Sequence, residues 1–225
     1  MINIVLADSA LELVPKGLAD HPSVKRMAER RGKEPLKTLL DISYHYTAMK
    51  GMDGWDRRGR PDIAFISLLN LLDSPLNRES LLRVFVHTNQ DYIISIDPKT
   101  KLPRNYARFC GLLEQLFEEG KVPPRGRPLM TITNGTLAEL VEQLSPSKTV
   151  LLTEKGRKWK LDSFAKKLVE EERPLIVIGG FQRGEFGKKA LELADEKVSV
   201  YKEPLDAWIV ASMVVHEVGR HLNLF

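Results

Sequence analysis

Three short stretches gather residue types that do chemistry. The segment "PLIVIGGFQRGEFGKK" (174–189) runs an apolar strand into Gly179, Gly180, Gly184 and Gly187. Gly179 to Gly184 has the G-x-x-x-x-G spacing of a phosphate loop, in which backbone N–H groups and a helix N-terminus hold an anion. The lysine and hydroxyl pair that would reach terminal phosphates is missing, and Glu185 and Phe186 stand there instead. The spacing also departs from the dinucleotide pattern G-x-G-x-x-G. Taken alone, the glycines are accounted for by a tight strand-to-helix turn with unusual dihedrals.

The second stretch is cationic. Arg57, Arg58 and Arg60 precede "PDI", with Asp62 two residues beyond Arg60. Read as a strand, "PDIAFISL" projects residues 60 and 62 to one side, so that Asp62 can orient the Arg60 guanidinium. In "KLPRNYARF", Pro103 suits the first turn of a helix, which puts Arg104 and Arg108 on one face at i, i+4 with Lys101 just outside. Cations there oppose the helix macrodipole by a few tenths to ~1 kcal/mol, so an anion should compensate. Two partners are open: a local carboxylate such as Asp97, or a nucleic-acid phosphate backbone with Tyr106 or Phe109 nearby for stacking.

The third stretch, "HEVGRH" (216–221), misses the zinc motif H-E-x-x-H by one residue. Arg220 stands at i+4, and His221 points about 140° away from His216 at ~3.6 residues per turn. We read these as ordinary polar helix residues and expect no metal. His21, His45 and His87 form no ligand spacing, and no nucleophile elbow occurs. The single cysteine, Cys110, excludes an internal disulfide framework; beside Phe109 and Leu112 it reads as a small buried hydrophobe.

Elements must carry these groups to one place. Of the 225 residues 43% are hydrophobic and the net charge is +4, an ordinary globular composition with a mildly basic balance that suits an anionic partner only where the charge is clustered. No apolar run approaches the ~20 residues of a membrane span, and the N-terminus lacks a basic n-region and cleavage site, so we expect an intracellular, cytoplasmic protein. Apolar β-branched runs ("INIVLAD", "RVFVHT", "YIISIDP", "LMTIT", "TVLLT", "LIVIGG", "KVSVY") alternate with helix-period segments. That alternation predicts an α/β fold: a mostly parallel sheet flanked by helices, in a single domain over 1–225 with an embellished N-terminal half. Three loops, after Leu152, Ile178 and Tyr201, then meet at the C-terminal edge of the sheet, where ligands bind in open α/β sheets. The final helix, from Asp206, is apolar on nearly all sides, which calls for a subunit interface as second cover, and Pro204 lies close to its start.

Together, "GRPDI" (59–63), "LLDSPLN" (71–77), "KLPRNYARFCGLLEQL" (101–116), "IGGFQRGEF" (178–186) and "VSVYKEPLDAW" (198–208) resemble the ribosome-biogenesis pseudouridine N1-methyltransferase family of the SPOUT class. The resemblance implies a C-terminal trefoil knot, a homodimer through the C-terminal helix, and methylation of N1 of a pseudouridine in small-subunit ribosomal RNA from S-adenosylmethionine. It further implies small-subunit ribosomal RNA and ribosome-assembly proteins as partners, and no membrane. Carried over by position, the cofactor residues are Thr153, Gly179, Gly184 and the run Val198, Ser199, Val200, Tyr201, Lys202, Glu203, Pro204 and Leu205. Arg60 and Asp62 are the catalytic pair, with Arg60, Lys101, Arg104 and Arg108 on the RNA. The chain departs from the family pattern at Lys101, where an arginine is expected, and at Phe65, where a histidine is expected. Competing readings are a SPOUT methyltransferase for another RNA such as transfer RNA, and a non-catalytic ribosome-assembly RNA-binding protein.

Overall fold

A computed structural model describes all residues from Met1 to Phe225. The first half runs β1 (Ile2–Ser9), α1 (Pro22–Arg31), α2 (Ile42–Met49), α3 (Pro61–Leu72), the single turn α4 (Pro75–Arg78), β2 (Leu82–Thr88), β3 (Tyr92–Ile96), α5 (Tyr106–Glu119), β4 (Lys121–Val122) and β5 (Met130–Asn134). The second half runs α6 (Leu137–Leu144), β6 (Lys148–Lys158), α7 (Leu161–Glu170), β7 (Pro174–Gly179), α8 (Lys188–Glu192), β8 (Glu196–Ser199) and α9 (Ala207–His221).

All eight strands form one sheet in the order β4-β5-β3-β2-β1-β7-β6-β8. The five from β2 to β8 are parallel, and β3, β5 and β4 extend the β2 edge antiparallel. The expected parallel sheet is therefore present, with an antiparallel extension supplied by the first half. Successive side chains of a strand face opposite layers. Ile4 and Leu6 of β1 accordingly join the core under α3, α5 and α9, while Val5 and Ala7 join the core under α6 and α8. Cover on both faces is why the central strands read as unbroken apolar runs.

Several expected elements change. "PDIAFISL" is the start of α3, a helix with Pro61 at its first position. An apolar run of eight cannot separate a strand from a buried helix by periodicity, and Ile63, Ala64, Leu68, Leu71 and Leu72 are buried around much of α3. Helix α5 begins at Tyr106, because Asn105 caps it by accepting from the Arg108 N–H at 3.1 Å. Pro103 and Arg104 thus lie outside the helix, and Arg104 and Arg108 do not share an i, i+4 face. "EFGKKALELA" shortens to the five residues of α8. The cap of α9 is Asp206, so Pro204 precedes the helix entirely.

Helix α9 packs against α3 and α7, which bury Ala211, Val214, Val215 and Val218. Much of its apolar surface is covered within the chain, and Ile209 remains 41% exposed. Its two histidines take separate partners: His216 lies against the Phe225 ring at 5.1 Å, and His221 Nε2 lies 3.2 Å from Asp162. Asp162, Glu217 and His221 approach one another, but Arg220 sits on both carboxylates, with Nη2 2.5 Å from each. No helix is long and apolar enough to cross a membrane.

Candidate active site

The C-terminal edge of β8, β6 and β7 is where the geometry becomes unusual. Val198 is the register partner of both Leu152 and Arg157, so residues 153–156 carry the chain across β8 between two pairings with the same residue. Gly156 rides on that crossing. A Cβ there would lie 2.5–2.6 Å from the backbone of Lys197 and Val198, so no side chain fits. Gly180, at the end of β7, is pressed equally hard on Ser9 at the end of β1, with a Cβ landing 2.1 Å from Ser9 Oγ. The sequence reading takes Gly180 only as part of the glycine-rich turn and leaves Gly156 unremarked; the signal for Gly156 is a glycine inside a strand-like run, which marks a close backbone approach.

These approaches draw three loops around a cavity of about 580 Å³, within the range of small-molecule sites. The first loop contributes Leu152, Thr153 and Glu154; the second contributes Gly179 and residues 181–186; the third contributes Val198–Tyr201 and Glu203–Leu205. The expected residues Thr153, Gly179, Gly184, Val198, Ser199, Val200, Tyr201, Glu203, Pro204 and Leu205 all line it. Lys202 does not: it points outward from the turn, exposed, toward Glu203 at 3.5 Å. Strand β8 ends at Ser199, so the third loop starts two residues earlier than expected, and Ser199 Oγ donates to the Tyr201 carbonyl at 2.7 Å to shape it. Gly184 holds φ +89, a left-handed conformation open to glycine.

The lining suits one ligand chemistry and opposes another. Leu152, Ile178, Val198, Val200 and Leu205 offer apolar walls, and the carboxylates of Glu154, Glu185, Glu203 and Asp206 ring the space. Lys155 offsets Glu185 and Lys202 lies 3.5 Å from Glu203, so the lining carries no cationic excess and lacks the lysine and hydroxyl pair that would hold a polyphosphate, while its carboxylates accept a ligand with a positive centre. An adenosine bearing a sulfonium fits this donor set, and the phosphate-loop reading of the glycines does not.

Arg60 forms part of the same wall. Its Nε and Nη2 donate to the two Asp62 oxygens at 2.8 and 2.6 Å, a bidentate pair. The expected pairing is therefore present, built from a different backbone: Arg60 caps α3 and Asp62 lies in its first turn. The hydrogen bonds to Asp62 hold the guanidinium pKa above its ordinary value. The adjacent, half-buried Arg58 forms a bidentate pair with the buried Glu12, which Asn89 also reaches at 3.1 Å.

The cations at and before the start of α5 lie outside the cavity lining. Arg104 is exposed and 3.4 Å from Asp73, while Lys101 and Arg108 are exposed and form no ion pair within the chain. Asp97, one expected partner, is taken by Arg127 at 3.0 Å. Neither aromatic named for stacking is free. Phe109 is fully buried, and Tyr106 turns its hydroxyl inward to donate to Asp41 at 2.5 Å. Phe65, the departure from the family pattern, packs between Tyr106 and Phe109 with centroids at 5.6 and 4.9 Å. Cys110 is buried, and burial pushes its thiol up to about 11, consistent with an inert core residue.

Comparison with known proteins decides what this arrangement belongs to. The EMG1/NEP1 methyltransferase family model matches residues 4–219. The chain belongs to the EMG1/NEP1 methyltransferase family. Relatives named ribosomal RNA small subunit methyltransferase Nep1 include one from Staphylothermus marinus, 46% identical over 95% of this chain and 93% of that one. Another, from Thermococcus kodakarensis, is 44% identical over 100% of both chains. The crystal structure of Archaeoglobus fulgidus Nep1 bound to S-adenosylhomocysteine matches with a TM-score of 0.87 at 36% identity, covering 98% of each chain. Within this family fold, Gly156 is a site-region residue that motif reading passed over, and Arg57, Gly180 and Asp206 lie in stretches it noted without assigning them to the site.

Proposed function

We propose that this chain methylates N1 of a pseudouridine in small-subunit ribosomal RNA from S-adenosylmethionine, as a cytoplasmic step of small-subunit biogenesis. One observation carries the reading: Arg60, held by Asp62, lines a three-loop cavity in a chain of a methyltransferase family. The relatives' shared name supports the ribosomal substrate, and the S-adenosylhomocysteine held by the A. fulgidus protein supports the cofactor.

Thr153, Gly179, Gly184 and the run 198–205 without Lys202 hold the cofactor, the glycines by letting backbone approach it closely. When bound, S-adenosylmethionine would supply a methyl on a positive sulfur; bond formation to N1 would leave the bonding pair on sulfur, and the N1 proton would pass to water. Catalysis by the protein is then mainly the alignment of carbon and nitrogen. Arg60 stabilises the negative charge that develops on the base as the proton departs. Asp62 orients Arg60, and because both its oxygens already accept from the guanidinium, it is a poor base. Lys101, Arg104 and Arg108 take phosphates, Lys101 as a point charge rather than a bidentate fork. The target base leaves its stack to reach the cavity.

The reading includes one catalytic domain, a homodimer through the outer face of α9, and contacts with assembly proteins. The passage of residues 153–158 across β8 supports the knotted crossing of the SPOUT class. A methyl-transfer assay on paired small-subunit RNA oligonucleotides, with uridine or pseudouridine at the target, tests the chemistry. Transfer to pseudouridine alone is expected; transfer to uridine alone would sink the proposed specificity.

A further inference from the structure

Arg57 lies in the short helical turn Trp55–Arg57, three residues ahead of Arg60, yet its side chain belongs to the opposite wall of the site. Its Nη2 donates to the carbonyl of Glu185 at 2.8 Å. Its guanidinium carbon stands 4.6 Å from the centroid of the Phe181 ring, and a Cβ on Gly184 would meet the same side chain at 3.3–3.5 Å. Three positions of one loop, 181, 184 and 185, are thereby gripped by one residue: a ring, a glycine at positive φ, and a backbone carbonyl. The segment 180–187 has no helix or strand of its own. Its other polar ties sit mostly at its two ends: Gly180 donates to the Ala7 carbonyl at 2.7 Å and accepts from the Ala10 N–H at 3.1 Å, and Gly187 accepts from the Leu191 N–H at 3.2 Å and donates to Asp8 at 3.4 Å, with the exposed Lys155–Glu185 ion pair between them. The other two arginines of the cluster are committed elsewhere, Arg58 to Glu12 and Arg60 to Asp62.

We infer that Arg57 is a positioning residue that holds loop 180–187 in its cofactor-accepting shape and couples cofactor binding to the Arg60 segment that meets RNA. The inference rests on the cavity being the S-adenosylmethionine site. A planar guanidinium can donate to a carbonyl and stack on a ring at once, and a lysine ammonium cannot do both in this geometry. Ordering the loop in advance lowers the entropy that binding must supply. Because coupling between two ligands is reciprocal, cofactor should strengthen RNA binding by the same factor that RNA strengthens cofactor binding.

Calorimetric titration of S-adenosylmethionine, and RNA binding measured with and without it, test this on wild type, Arg57→Gln, Arg57→Lys and Phe181→Leu. We expect cofactor affinity to fall about tenfold in all three variants, within the usual range of coupling energies. In the two Arg57 variants the KM for cofactor should rise while kcat at saturating cofactor stays within about twofold, and cofactor should no longer strengthen RNA binding. A general structural defect would instead lower kcat and the melting temperature of the cofactor-free protein. Should Arg57→Gln prove unstable, Arg57→Lys carries the test, since it keeps the charge, removes the planar fork and leaves the cavity-lining Phe181 in place. Unchanged cofactor affinity in Arg57→Gln and Phe181→Leu overturns the inference, as does full rescue by Arg57→Lys, which would make the residue a simple charge. A wild-type protein that fails to bind S-adenosylmethionine overturns the cofactor reading and this inference with it, a result distinguished by the wild-type titration alone.

Discussion

Arg60 and Asp62 are joined by two parallel hydrogen bonds of 2.8 and 2.6 Å, and this pairing leaves no carboxylate oxygen of Asp62 without a donor. The acid serves its neighbour's orientation. Replacing Asp62 with Asn keeps one acceptor and frees the guanidinium to rotate, so kcat should fall about 10- to 100-fold while RNA affinity changes little. Arg60→Ala should cost about 10²- to 10³-fold, the scale of losing one stabilising donor. Single-turnover methyl transfer checks both, and undiminished turnover in Asp62→Asn would remove the residue from the mechanism.

Gly156 lies where a Cβ would meet only backbone, at 2.5–2.6 Å from Lys197 and Val198. Gly156→Ala therefore pushes β8 and the third loop outward, at a cost of about 1–3 kcal/mol. Thermal unfolding should report the loss, and cofactor affinity should fall with it. Gly17→Ala, where nothing lies within 4 Å, is the neutral control.

Exposed and unpaired, Arg108 should act on RNA through charge. Arg108→Ala should reduce the slope of log affinity against log salt by roughly one unit. Arg104 is already close to Asp73, so its removal should reduce the slope less. Equal slopes for wild type and Arg108→Ala would place the RNA elsewhere.

His87 is buried beside Asp8 and Asp91, with Nε2 3.0 Å from Asp91. In the neutral ring Nδ1 accepts from the Asp8 N–H at 3.3 Å; when protonated it faces the Asp8 carboxylate at 3.4 Å. Burial by itself lowers the histidine pKa, but the bonds to Asp8 and Asp91 more than offset it, and the net shift is upward from 6.5. Burial likewise raises the Asp8 pKa, and the bonds to His87 and Gly187 outweigh it, for a net shift below 3.8. The histidine's contribution is thus full below pH 6.5 and lost as pH rises through its folded pKa. That of Asp8 is present above pH 3.8 and lost as pH falls through its lowered value. The pair should stabilise most between these limits, and His87→Gln should abolish the decline in melting temperature above pH 6.5.

Ile209 is the most exposed apolar residue of α9, with Trp208 half-buried beside it. If this face joins two copies, Ile209→Asp should shift the sedimentation coefficient from dimer to monomer without unfolding the chain. A wild-type monomer at micromolar concentration would refute the interface.

The sequence by itself determined the α/β class and the three converging loops, because strand periodicity and short motifs are local properties. Arg60 beside Asp62 was legible from a two-residue spacing, although the backbone that joins them is a helix start and not a strand. Only the tertiary structure decided that Tyr106 and Phe109 turn inward, that Asp97 pairs with Arg127, and that Arg57 grips a loop 128 residues away. It also decided that Gly156 and Gly180 are glycines because backbone crosses backbone there. Such contacts join segments remote in sequence, and which side chain meets which is set by how helices and strands pack, a property that no local spacing carries.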